Sequence, residues 1–127
     1  MKVFFLSLIS FLLQACSTSS ETHIKQTELL SLLQSKQVQA IIVDVRSSAE
    51  YNAGHIPHAQ HIPFWQSFTT DALDNIAKQN AVILYCEHGP RAGIAKFAYY
   101  MAGFKNIRYV EGHMTTWRKS GLPMETR

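Results

Sequence analysis

A chain of 127 residues, 46% hydrophobic and 17% charged, suits one domain built on one buried core. Its formal charge of +3 is small and scattered, and no basic stripe is interleaved with aromatics, which argues against a nucleic-acid partner.

The first fifteen residues read as a signal peptide rather than as part of the fold. Lys2 supplies a positive start, and Val3 to Leu13 is an apolar run broken only by serines, too short to span a bilayer. Leu13-Gln14-Ala15-Cys16 follows. It resembles the lipobox of bacterial lipoproteins, although Gln14 stands where a small residue is more usual. That resemblance implies a lipidated Cys16 as the first mature residue. Ser17 after it resembles outer-membrane sorting, so the expected location is the cell envelope, at the periplasmic face of the outer membrane. Several acyl chains would anchor the protein stably, at about 0.8 kcal/mol per buried methylene. Cys86 then remains as the only thiol. This rules out a disulfide framework and marks Cys86 as reactive or intermolecular.

Residues 17–22, STSSET, are small and polar, and the expected lipidated tether runs from 16 to 23. Leu29, Leu30, Leu32 and Leu33 recur at helical spacing behind Thr27 as an N-cap. AIIVDV, residues 40–45, is a continuous apolar run with one aspartate, as expected of a strand covered on both faces. SSAEYNAG predicts a short helix capped by Ser47 or Ser48 and ended by Gly54. His61-Ile62-Pro63 predicts a brief strand. Phe64, Phe68, Leu73 and Ile76 then fall at roughly helical intervals up to Gln79. AVILY, 81–85, is a second buried strand, and Arg91–Met101 is a helix ended by Gly103. IRYV, 107–110, is a further strand, and Gly112–Ser120 a last helix. Strands alternate with helices, which predicts an α/β domain with a parallel sheet covered on both faces.

In such sheets ligands sit beyond the carboxyl ends of the strands, and Cys86 stands at one. The segment behind it opens a helix, whose first N–H groups have no internal partner. Gly89 permits a tight turn, Pro90 suits a first helical turn, and Arg91 adds a fixed positive charge. These features favour a nucleophilic thiolate over a thiol that merely finishes a core strand.

IIVDVRSSAEYNAGHIPHAQHIP and VILYCEHGPRAGIAKFAYYMAGFKNIRYVEGHMTTWRKSGLP together resemble the rhodanese family, over residues 24 to about 125. The first stretch matches its Asp-Val-Arg, Glu-Tyr and Gly-His-Ile-Pro pattern, and the second its active-site strand, loop and closing helices. The resemblance implies a five-stranded parallel sheet with helices on both faces over 24–127, with Ile24 supplying a minor first strand. It implies a sulfurtransferase in which Cys86 takes sulfur from thiosulfate or a similar donor, holds it as a persulfide and passes it to cyanide or a thiol. The acceptor would include a thioredoxin-like protein, and no metal or organic cofactor is required. The N–H groups of residues 87–91, covering Glu87, His88, Gly89, Pro90 and Arg91, would cradle the persulfide, with Arg91 holding substrate oxygens. Asp44 would accept hydrogen bonds near the loop, and Arg46 would pair with Glu50. The alternative is a non-catalytic or persulfide-carrier module. Four residues separate Cys86 from Arg91, whereas related phosphatases and arsenate reductases place five, which disfavours oxyanion chemistry.

Several residues depart from the family pattern. Glu87 places a carboxylate next to the nucleophile, where it opposes thiolate formation and repels thiosulfate, although solvent and salt soften this. His88 offsets that charge when protonated, or shapes the loop. Ala92 stands where a serine is frequent, and His113 where a second glycine follows Gly112. Trp117 and Pro123 match the family ending, with Trp117 expected in the core. His55, His58 and His61 lack a regular element to align them and a carboxylate or thiol at ligand spacing, so no metal site is expected.

Overall fold

A computed structural model describes residues 22–127. The expected signal peptide, Cys16 and most of the expected tether therefore lie outside the described residues. The elements in chain order are β1 (His23–Ile24), α1 (Gln26–Gln34), β2 (Ala40–Asp44), α2 (Ser48–Ala53), β3 (Gln60–His61), a 3-10 turn (Phe64–Phe68), α3 (Thr70–Asp74), β4 (Ala81–Tyr85), α4 (Pro90–Met101), β5 (Ile107–Val110) and α5 (His113–Lys119). The strands form one five-stranded sheet in the order β1-β5-β4-β2-β3, and every ladder is parallel. β1 takes in His23, one residue before the expected domain start.

Side chains alternate across the two central strands, as the pleat requires. Val82, Leu84 and Cys86 join one core cluster with Ala92, Ala95 and Tyr99 of α4 and Leu73 of α3. Ile83 and Tyr85 join the other, with Leu29 of α1 and Met114 and Trp117 of α5. Both faces of the sheet are thus covered, and the near-continuous apolar runs of β2 and β4 follow from that burial. Trp117 is fully buried and donates its indole N–H to the Pro123 carbonyl at 2.8 Å.

β2 leads through α2 to β3 on one side, and β4 leads through α4 to β5 on the other. The connections diverge between β2 and β4, so the position at which such sheets take a ligand lies at the carboxyl ends of these two neighbours. Asp44 and Arg46 stand at one end and Cys86 at the other. The β2–β4 pairing continues past the strands through the bond from Val45 N–H to Tyr85 O at 3.0 Å.

Three local expectations change. α1 begins at Gln26 with Lys25 at the N-cap position, so Thr27 lies inside the first turn. Gln26 reaches across to the carbonyls of Glu111 and His113, at 2.7 and 3.3 Å, and this tertiary anchor sets the start. The segment after Pro63 divides into two short helices because Thr69 is extended, at φ −94° and ψ 137°. That break resets the helical phase, burying Leu73 and Ile76 but leaving Phe68 57% exposed. The expected strand at 61–63 is shifted to Gln60–His61, although Ile62 N–H still bonds Asp44 O at 3.1 Å.

Candidate active site

Cys86 follows β4 directly, and its side chain turns toward the face covered by α3 and α4. The residue has no exposed surface. Gly89, at φ 126°, turns the chain back so that its N–H donates to Cys86 Sγ at 2.9 Å. An amide N–H aimed at sulfur stabilises negative charge there. Gly93 N–H bonds Gly89 O at 3.0 Å and closes the first turn of α4. The N–H groups of Arg91 and Ala92 therefore have no partner inside the helix. Pro90 is the first helical residue and has no N–H. It therefore cannot belong to the expected ring of donors over residues 87–91, and it acts by pre-setting the helix start.

Three arginine–carboxylate pairs surround this loop. Asp44 and Arg46 are sealed in the interior at 0% and 1% exposure. Arg46 Nε donates to both Asp44 oxygens at 3.0 and 3.1 Å, and its Nη2 to Oδ2 at 2.7 Å and to Gly54 O at 2.7 Å. Burial works against the Arg46 charge, but the hydrogen bonds and charge of Asp44 outweigh it and hold the guanidinium above its ordinary value. Arg46 was expected to pair with Glu50, and that expectation is corrected. Glu50 is turned toward its own helix start instead, accepting the Ser47 N–H at 2.9 Å while Glu50 N–H reaches Ser47 Oγ at 3.4 Å, a capping box.

Arg91 takes the outer side of Glu50. Its two terminal nitrogens donate to the two carboxylate oxygens at 2.7 and 2.9 Å. The Arg91 hydrogen bond is the largest influence holding the Glu50 carboxyl far below its ordinary 4.5; burial opposes it and Ser47 adds to it. Arg91, expected to hold substrate oxygens, is thus engaged with Glu50 in this structure. The third pair joins Arg118 of α5 to Glu87 at 2.8 Å, with Arg46 Nη1 3.8 Å from the other Glu87 oxygen. The Glu87 charge, expected from sequence to oppose the thiolate and to be softened by solvent, salt and a protonated His88, faces two guanidinium groups instead.

α5 braces the loop from below. Met114 N–H bonds Cys86 O at 3.0 Å, Thr115 N–H bonds Glu87 O at 3.2 Å, and Thr115 Oγ1 donates to the same carbonyl at 2.8 Å. His88 is exposed, with Nδ1 3.1 Å from Thr115 Oγ1. Cys86 N–H donates to His113 Nδ1 at 3.2 Å. Sequence reasoning did not place Arg118, Thr115 or His113 at the site. The one available signal was His113 itself, a bulky side chain where the family pattern favours glycine.

The three histidines considered for metal are occupied or outlying. His55 donates its Nδ1–H to Tyr51 O at 2.8 Å and stacks on the Tyr51 ring at 3.7 Å. His61 Nε2 meets Arg46 O at 2.8 Å. His58 is exposed.

The family model for the rhodanese-like domain matches residues 25–120. The chain is 30% identical over 109 residues to a probable adenylyltransferase/sulfurtransferase MoeZ of Mycobacterium tuberculosis, covering 86% of this chain and 28% of that one. It is 32% identical over 94 residues to a tRNA uridine(34) hydroxylase of Pectobacterium atrosepticum, covering 67% of this chain and 26% of that one. Among solved structures, the rhodanese-like domain of the Alr3790 protein from Anabaena superposes with a TM-score of 0.75 at 25% identity, covering 84% of this chain and 80% of that domain. The chain spans less than two thirds of the length of the curated relatives named. On this evidence of sequence and fold, the chain belongs to the rhodanese-like domain family.

Proposed function

We propose that this chain is a sulfurtransferase working through a persulfide on Cys86. The observation that carries this reading is the Gly89 N–H aimed at Sγ from 2.9 Å, at the switch point of the sheet. The Cys86 thiolate attacks the outer sulfur of thiosulfate or a similar donor, the sulfur–sulfur bond of the donor breaks, and sulfite leaves with the bonding pair. The persulfide keeps its negative charge on the outer sulfur, where loop N–H groups stabilise it. Cyanide or a thiol, such as that of a thioredoxin-like protein, then attacks the outer sulfur and restores the thiolate. The name of the mycobacterial relative includes sulfurtransferase, which supports the reading; the name of the hydroxylase relative attaches the domain to different chemistry.

The test is thiocyanate formation from thiosulfate and cyanide by residues 22–127, beside Cys86→Ser. Turnover that needs Cys86 supports the enzyme. The complete burial of Cys86 favours a second reading, in which the domain carries or senses sulfur without efficient turnover. One sulfur atom added to Cys86 in intact mass, with negligible thiocyanate, selects that reading; no addition and no turnover removes both. Hydrolysis of an aryl phosphate without sulfur transfer would bring back the phosphatase alternative. We also propose envelope anchoring through lipid on Cys16: a Cys16→Ser variant of the full chain leaves the membrane fraction, and retention there refutes the proposal.

A further inference from the structure

His113 is the first residue of α5 and sits in the left-handed region at φ 53°, directly behind Gly112 at φ 71°. Glycine meets that backbone without strain, whereas an imidazole does not. The ring is buried and turned back under the cysteine loop. Its Nδ1 accepts the Cys86 N–H at 3.2 Å. Nδ1 must therefore carry a lone pair, which leaves the neutral ring with its proton on Nε2. On the other side of the ring, Nε2 lies 3.2 Å from the position a Cβ on Gly89 would take. The imidazole thus spans the two backbone points that matter most, the residue that bears the sulfur and the residue whose N–H reaches it.

We propose that His113 is a positioning residue for Cys86: its neutral imidazole, wedged between the Cys86 N–H and the Gly89 backbone, holds the loop so that Gly89 N–H points at Sγ, and protonation releases that hold. A proton on Nδ1 would set two donors face to face at Cys86, so the ring or the loop must move. The effect on sulfur transfer rests on the proposed function; the effect on the loop does not.

The groups that face the ring are Cys86 from the end of β4 and Tyr109 of β5, whose ring centre is 5.9 Å away. Lys96 of α4 lies 4.8 Å from the far partner, Tyr109, rather than on the imidazole. Gln26 of α1 meets only the His113 carbonyl. Glu87 and His88 continue the loop, engaged with Arg118 and Thr115. Burial pushes the His113 imidazole below its ordinary 6.5, which keeps the ring neutral around pH 7. The backbone bonds from Met114 and Thr115 to the loop do not involve the His113 side chain.

The experiment measures alkylation of Cys86 by iodoacetamide across pH in residues 22–127, in the parent, His113→Gly and His113→Asn. Both replacements suit a left-handed backbone, so one serves if the other folds poorly. Parent and His113→Gly should differ about fivefold near pH 8, the size of one hydrogen bond, and converge on acidification below the ordinary histidine range as the parent ring protonates. His113→Asn, which keeps an acceptor, should lie between them with no convergence on acidification. Nitrogen NMR should find the parent imidazole protonated on Nε2 at neutral pH. A parent-to-variant ratio that stays constant across pH, or a neutral ring protonated on Nδ1, overturns the proposal. Alkylation does not need sulfur transfer, so absent thiocyanate formation would refute the proposed function and leave this test intact.

Discussion

The Asp44–Arg46 and Glu50–Arg91 pairs use the same two-pronged chemistry at different depths. The first is sealed at 0% and 1% exposure, and the second is about one third open, at 33% and 30%. Depth decides what each can do. Removing one partner of a sealed pair leaves a charge in the interior without water, whereas the partner of an open pair is simply rehydrated. Asp44 and Arg46 therefore belong to the architecture: they fasten the end of β2 to the Gly54 carbonyl that closes α2. Under the proposed function, Glu50 and Arg91 belong to the working end of the site, where an anionic donor would compete with Glu50 for the guanidinium.

The largest effect expected from breaking this contrast is in Asp44→Ala, which should cost about 3–5 kcal/mol in urea unfolding. A loss below about 1 kcal/mol would show that the interior pair is hydrated and the depth argument wrong. Glu50→Gln should cost only about 1 kcal/mol, and the loss should shrink in high salt. The same change frees Arg91 and should lower the KM for thiosulfate. A raised KM would mean that the ion pair shapes the loop rather than occupying its cation.

The pH dependence follows the same pair. The unfolded Glu50 carboxyl takes up a proton near its ordinary 4.5, while the folded carboxyl, held by Arg91, resists down to much lower pH. The unfolded state binds more protons there, so stability is full above about 4.5 and declines as the pH falls. Glu50→Gln should flatten that decline; an unchanged slope would assign it to other carboxylates. The smallest effect is expected from Arg118→Ala. Its pair with Glu87 is 47% exposed on the arginine side, so stability should change by less than about 0.5 kcal/mol. The KM for thiosulfate should rise, because Glu87 loses its 2.8 Å partner. No change in KM would show that the Glu87 charge does not reach the donor.

Much of the fold was readable from local pattern. The runs expected at 40–45 and 81–85 became the strands 40–44 and 81–85 because only the centre of a parallel sheet accepts apolar side chains on both faces, and of the two candidate caps of α2, Ser47 and Ser48, Ser47 takes the position. Cys86, Gly89 and Pro90 were legible for the same reason: strand end, turn and helix start lie within five positions. The helix expected from Phe64 onward failed because Thr69 takes an extended conformation that no spacing rule foretold. The expected Arg46–Glu50 pairing failed because Asp44, two residues away, is sealed in with Arg46 and takes its guanidinium. Glu50 could choose among arginines, and the one that reaches it lies 41 residues away.

By itself the sequence determined the alternation of strands and helices, the place of Cys86 at a strand end and the turn behind it, since each depends on neighbours a few residues apart. Only the tertiary structure decided which arginine meets which carboxylate, that α5 carries the floor of the loop, and that His113 accepts the Cys86 N–H from 27 residues away. Those contacts join segments that meet only when β2, β4 and β5 lie side by side, and no local energy term selects among them before the sheet has formed.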